Sequence, residues 1–240
     1  MEDWRNWQAP QRILVVLAHP DDPEFFCGAT IARWTDAGHE VVYWLLTCGD
    51  KGAQDPDTDP TELCGDRRAE QRRAADVLGV KGVNFLENPD GYLEPIMALR
   101  KEVTRIIRQE RPDVLVACDP KTLYVGDMRI NHPDHRAAGQ VVLDAVFPAA
   151  GNPLYFPELM REQGLMPHTP REVWISLTLE PNERHDVTDL WERKIAAIQQ
   201  HASQIGDPEK LAERMRSRFT SDSSAEAPRY EEVFRRIVFG

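Results

Sequence analysis

Two four-residue stretches of the chain concentrate imidazole and carboxylate groups: "HPDD" at 19–22 and "HPDH" at 132–135. The first follows the apolar run "ILVVL" with only Ala18 between. Charged groups at the edge of a core are costly unless an ion or solvent compensates them. If the two stretches share one edge of the fold, His19, Asp22 and His135 offer three ligands to one ion. Two imidazoles with one carboxylate suit Zn²⁺, and three protein ligands leave a fourth position for water, as catalytic rather than structural sites do. Asp21 is then free to take a proton from that water, whose pKa a bound zinc lowers from ~15.7 toward ~7. His132 and Asp134 are surplus to coordination. A carboxylate that fixes the tautomer of an imidazole and favours its cation would let His132 stabilise an oxyanion or protonate a leaving amine. The set points to metal-assisted hydrolysis of an amide. A single HPDD is more simply an N-cap with Pro in the first helical turn, but two such stretches after strands are not explained by capping alone.

The elements that must position these groups alternate. Near-continuous apolar, β-branched runs at 12–18, 40–47, 82–87 and 113–118 read as parallel strands covered on both faces, with a further strand at 172–178. Amphipathic helical patterns lie at 25–37, 62–79, 94–110 and 133–147, with Gly79 as a C-cap and Pro112 closing the third. Such alternation predicts an α/β, doubly wound sheet whose functional loops lie beyond the carboxyl ends of the strands, where His19 and Asp119 would sit. Residues 1–240 read as one domain, with a core at 12–147, a Pro-rich lid or substrate loop at 149–171 and a C-terminal helical extension at 188–240. Within that extension 220–228 reads as a flexible connection, and the type of "RYEEVFRRIVF" stays open.

Composition narrows the class. The 240 residues carry a formal net charge of −11 and are 41% hydrophobic, the profile of a globular protein. That charge opposes binding to nucleic acid or to an anionic membrane, which draws on clustered Lys and Arg. No apolar run is long enough to span a bilayer, and "MEDWRNWQAPQR" lacks the basic and apolar regions of a signal peptide, so the expected location is the cytoplasm without membrane insertion. Cys27, Cys48, Cys64 and Cys118 form no CxxC pair and are expected to be reduced core thiols. The first strand leads into HPDD and not into G-x-G-x-x-G, which argues against dinucleotide binding.

"AHPDD", "TCGDKG" (47–52), "RRAEQRRAADVLGV" (67–80), "NPDG" (88–91) and "HPDH" occur in an order and spacing that resemble the LmbE-like, or PIG-L-like, zinc-dependent N-acetylglucosaminide deacetylases. The likeness spans most of 12–147 and continues weakly through 193–204. It implies a Rossmann-like fold, zinc on His19, Asp22 and His135, Asp21 as general base, and His132 oriented by Asp134. It also implies a small amino-sugar substrate held partly by Arg67 and Asp90, and it allows a homo-oligomer, trimer or hexamer. From the residues alone, Arg67 with Glu70 could equally be an exposed i,i+3 pair, and Asp90-Gly91 a plain turn. Members acting on the mycothiol precursor often carry Tyr two residues before the first His of HPDH. This chain has Ile130 there, with Tyr124 on the same loop as a substitute. His201 could approach the site, although a core or surface role is commoner for such a residue. Alternative readings are an amidase for a sugar–thiol conjugate, a non-haem iron enzyme using the same two-His-one-Asp set, and a non-catalytic sugar- or metal-binding protein.

Overall fold

The computed structural model describes residues 4–8, 10–127 and 129–239. The chain runs β1 (Arg12–Leu17), α1 (Asp22–Asp36), β2 (Glu40–Thr47), α2 (Pro60–Leu78), β3 (Gly82–Asn88), α3 (Met97–Glu110) and β4 (Val114–Cys118). It continues through β5 (Tyr124–Val125), β6 (Arg129–Ile130), α4 (Pro133–Asp144), α5 (Pro157–Arg161) and β7 (Glu172–Ser176). Last come β8 (Glu183–Asp186), α6 (Trp191–Ile198), α7 (Pro208–Arg216) and β9 (Glu231–Val238).

Seven strands form one sheet in the order β3-β2-β1-β4-β7-β9-β8. The first five are parallel, with the most continuous apolar runs in the central β1 and β4, and β9 pairs antiparallel with both β7 and β8. One face packs on α3 and α4 through Leu14, Val16, Val103, Ile107, Val141 and their neighbours. The other packs on α1 and α2 and holds a cluster of Trp4, Trp7, Trp34 and Trp174. Strand order reverses on either side of β1 and β4, and such a switch point opens a crevice at their carboxyl ends. His19 follows β1 at that crevice, and the loop after β4 leads to His132.

Two local devices set the helices that carry the chemistry. Helix α1 is broken at Cys27, whose φ −150°, ψ 21° is not helical. The break releases backbone groups that buried partners take up. Glu232 on β9 accepts from the N–H of Ala29 (3.1 Å) and Thr30 (2.7 Å), while Lys194 Nζ donates to Phe25 O (2.9 Å) and to Glu232 (2.6 Å). Helix α4 lies close on the end of β4 because residue 139 is glycine. A Cβ there would stand 2.4 Å from the Cys118 carbonyl oxygen.

The segment 188–240 holds the expected helices as α6 and α7, while "RYEEVFRRIVF", of open type in the sequence, supplies β9. This strand enters the sheet with Glu232 and Arg236 buried in pairs, the Arg236 guanidinium gripping Glu172 at 2.7 and 2.9 Å. Two expectations are corrected. The 149–171 segment contributes no residue to the cleft described below. It is tied to α3 by Arg108, which donates to the carbonyls of Ala149, Ala150, Asn152 and Tyr155. Cys48 and Cys64 are not thiols but a disulfide, because the start of α2 returns to the end of β2 and brings their Cα atoms to 5.2 Å. Cys27 and Cys118 are free and buried as expected. Among the described residues, no helix is long and apolar enough to cross a membrane. The outermost residues of the expected domain, 1–3 and 240, lie outside the described residues.

Candidate metal centre

The two histidine-bearing turns meet. His19, Asp22 and His135 each present a ligand atom, and these atoms lie within 4.8 Å of one another. Asp22 is the first residue of α1, with Pro23 in the first turn, and accepts from the His19 backbone N–H at 2.9 Å. Its other oxygen stands 3.0 Å from His135 Nε2. Asn131, buried just before HPDH, fixes the second histidine. Its Oδ1 accepts from His135 Nδ1 at 2.8 Å, and its Nδ2 donates to Thr122 O at 2.7 Å. With Nδ1 so engaged, His135 keeps the Nε2 lone pair for the site. His19 is held the opposite way round. Nε2 donates to Asp134 (3.2 Å) and Asp90 (3.1 Å), leaving Nδ1 toward Asp22 at 3.5 Å.

His19, Asp90, His132 and Asp134 form a second convergence. The hydrogen bonds separate the two sets. Asp134 is wholly buried, and both its oxygens are engaged by the N–H groups of Gly91 (2.7 Å) and Leu93 (3.2 Å) as well as by His19. Its carboxylate therefore orients His19 and not His132, which corrects the sequence expectation. His132 is held instead by the Asp134 backbone, whose N–H donates to Nδ1 at 3.2 Å. The proton of a neutral His132 then sits on Nε2, 4.0 Å from Asp90. Burial, then the neighbouring His19, holds the His132 pKa below its ordinary value, so the neutral form is favoured over the expected cation.

Asp21 caps α1 with φ 90° and ψ −29°, a left-handed conformation uncommon for any residue but Gly. Such strain persists where surroundings over-determine it. Here Gln71 Oε1 accepts from the Asp21 N–H at 2.8 Å, and Gln71 Nε2 donates to buried Glu24 at 2.9 Å. Glu24 in turn meets His201 Nε2 at 3.2 Å, so His201, wholly buried, belongs to this support and not to the cleft wall. Arg67 is buried too. It donates to Gly49 O (3.0 Å), Pro20 O (2.8 Å) and the Asp21 carboxylate (3.3 Å). Gly49, at φ +73°, is glycine for a second reason: a Cβ there would fall 2.0 Å from the Arg67 guanidinium. The alternative of an exposed Arg67–Glu70 pair is not what forms, since Glu70 is buried on the N–H and hydroxyl of Ser203.

Burial pushes the Asp21 carboxyl up to about 6, with Arg67 opposing. Burial acts on Asp22 in the same sense, but the imidazoles of His135 and His19 outweigh it and hold Asp22 well below the usual carboxylate range. Asp21, Asp22, Asp90 and Asp134 thus bring four carboxylates around one point, with Arg67 the guanidinium among them. Such a concentration of negative charge at the edge of a core calls for a cation, and the donor types fit a divalent metal. The group can hold a metal ion.

These groups open into a cleft of about 1020 Å³, which Phe26, Tyr92 and Gly52 also line. Tyr124 does not replace the missing tyrosine. It pairs across the β5–β6 hairpin with Ile130, and the two are 61% and 76% exposed outside the cleft wall. The supports Asn131, Gln71, Glu24 and Gly139 were not identified from the sequence. Each acts on a residue reached by folding. Asn131 alone gives a local hint, an amide four residues before a histidine at a helix start.

The family model for PIG-L, GlcNAc-PI de-N-acetylase, matches residues 14–146. A diacetylchitobiose deacetylase of Thermococcus kodakarensis is 37% identical over 198 residues, 81% of this chain and 70% of the relative. A 1D-myo-inositol 2-acetamido-2-deoxy-alpha-D-glucopyranoside deacetylase of Kineococcus radiotolerans is 32% identical over 60% of this chain and 46% of its own length. Among solved structures, N,N'-diacetylchitobiose deacetylase from Pyrococcus horikoshii superposes with a TM-score of 0.85 at 33% identity, over 96% of this chain and 85% of that one. By its matched core, its sheet and the likeness of its relatives, the chain belongs to the PIG-L family of GlcNAc-PI de-N-acetylase domains.

Proposed function

We propose that the protein hydrolyses the acetamide of an N-acetylglucosaminyl compound, releasing acetate and a free amine, with zinc held by His19, Asp22 and His135. The observation that carries this reading is the convergence of those three donors beside Asp21, a carboxylate left unligated in a strained cap. A cation bound there supplies a Lewis acid that makes water nucleophilic at neutral pH and polarises an amide carbonyl. Asp21 accepts the proton of the attacking water, and a carboxyl pKa of about 6 suits both taking that proton and returning it. Arg67 and Gln71 hold its carboxylate and backbone toward the cleft. His132, neutral with its proton on Nε2, donates to the carbonyl oxygen as charge develops there. When the C–N bond breaks, Asp21 passes its proton to the departing nitrogen. Asp90, facing the cleft, accepts from a sugar hydroxyl, and Arg67 acts on the sugar only through Asp21.

The test is release of acetate and amine from N-acetylglucosaminyl glycosides by zinc-loaded protein. Loss of turnover on chelation, its return with zinc, and loss in Asp21→Asn with metal still bound are expected. Metal binding without release from any glycoside would overturn the reading in favour of a binding protein.

A further inference from the structure

The cleft continues beyond the metal-binding residues to a wall formed by the β5–β6 hairpin and the end of α7, where Arg129, Arg214 and Arg218 line it. In a chain of net charge −11, three guanidinium groups would be expected to find carboxylates. None of the three makes an ion pair or a side-chain hydrogen bond within the described residues. The acids on the same wall are already engaged: Glu231 by Arg184 and Arg229, both at 3.2 Å, and Glu232 by Lys194 at 2.6 Å. Arg214 lies in the last turn of α7, where the dipole favours cations, and Arg218 lies two residues beyond the end of the helix. The dipole accounts neither for Arg218 lining the same cleft as Arg214 nor for Arg129, which a separate hairpin brings to that wall. Burial, followed by Arg214 and Arg129, lowers the Arg218 pKa, so both of the other guanidinium groups act on Arg218. Unpaired arginines converging on a ligand cleft are suited to planar oxyanions, which they bind through forked hydrogen bonds.

We propose that the outer cleft, at Arg129, Arg214 and Arg218, binds a carboxylate or phosphate carried by the aglycone of the substrate. The inference rests on the deacetylase reading and names its substrate class, an anionic N-acetylglucosaminyl conjugate. The acetamide lies at the inner end, and the anion lies at the arginines.

The probes are three glycosides of N-acetylglucosamine: the methyl glycoside, one with a carboxylate-terminated aglycone and one with a phosphate-terminated aglycone. Binding by titration calorimetry and amine release are both measured on zinc-loaded protein. Wild type should bind an anionic probe about tenfold or more tightly than the methyl glycoside, and the better anion identifies the group. Arg129→Gln, Arg214→Gln and Arg218→Gln should each reduce that preference about threefold to tenfold, through KM and not kcat, and the triple variant should abolish it. Arg216→Gln, on the same helix but paired with Glu192 at 2.7 Å, removes the same charge and should keep the preference. Tighter anion binding lost in the triple variant, without turnover of any probe, would uphold the arginine site and refute the hydrolase reading. Turnover with equal affinity for neutral and anionic probes, or no binding of the anions, would refute the arginine site. So would variants that change oligomeric state and leave selectivity in place.

Discussion

Replacing Asn131 with Ala should weaken metal binding without removing a ligand. Asn131 is 4% exposed, and its Oδ1 is the acceptor that holds His135 Nδ1 at 2.8 Å. Without it, the ring is free to rotate and to place its proton on either nitrogen, so the Nε2 lone pair is no longer committed to the site. Loss of such an orienting partner costs about 10- to 100-fold in metal affinity, or roughly 1.4–2.8 kcal/mol. The same substitution strands the Thr122 carbonyl, a further cost of about 1 kcal/mol to folding that does not involve the metal. Competition with a chromophoric chelator reads the affinity, and urea unfolding of metal-free protein reads the folding cost, so the two are separated. Asn131→Asp keeps an acceptor for His135 while losing the donor to Thr122, and should retain most of the affinity. Equal affinities for wild type and the alanine variant, or an equal loss in Asn131→Asp, would refute the orienting role.

Gly139→Ala puts a Cβ 2.4 Å from the Cys118 carbonyl and 3.0 Å from Pro120 N, so it should cost about 1–3 kcal/mol in urea unfolding and shift α4 with its histidines. A neutral result would mean that α4 does not depend on this approach. Glu232→Ala leaves Lys194 buried without its carboxylate and frees the N–H groups of Ala29 and Thr30, for an expected loss of about 3–5 kcal/mol. Adding Lys194→Met should recover part of that loss, and a double variant no more stable than the single one would contradict the pairing argument. His168, half-buried with Nε2 donating to Pro112 O at 2.7 Å, is held below its ordinary pKa of 6.5, first by burial. Above pH 6.5 both folded and unfolded states are neutral at this position; as pH falls, the unfolded chain takes the proton first and the native state loses stability. Stability profiles from pH 8 to 5 should therefore be flatter for His168→Gln, and parallel profiles would rule the contribution out.

The parallel strands and the ligand-bearing turns were legible because both depend on local pattern. Apolar runs such as "ILVVL" have one stable place in a covered sheet, and HPDD and HPDH each pack their donors into a single helical turn. What escaped depends on contacts between distant segments. Strand β9 reads as charged, yet Glu232 and Arg236 are buried because Lys194 and Glu172 neutralise them, and neither partner adjoins it in sequence. The Cys48–Cys64 bond follows from the return of α2 over 16 residues, a length that carries no signature of pairing. Asp134 was assigned to its neighbour His132, since sequence proximity was the available guide. Folding turned its carboxylate to His19 and the N–H groups of Gly91 and Leu93.

The most direct measurement is anomalous diffraction from zinc-loaded crystals at the zinc absorption edge. One peak is expected between His19, Asp22 and His135, with nitrogen ligands at about 2.0–2.1 Å, the Asp22 oxygen at about 2.0–2.2 Å and Asp21 outside coordination distance. A peak held by Asp90, His132 and Asp134 instead, or no peak at either cluster in protein that turns over substrate, would contradict the account.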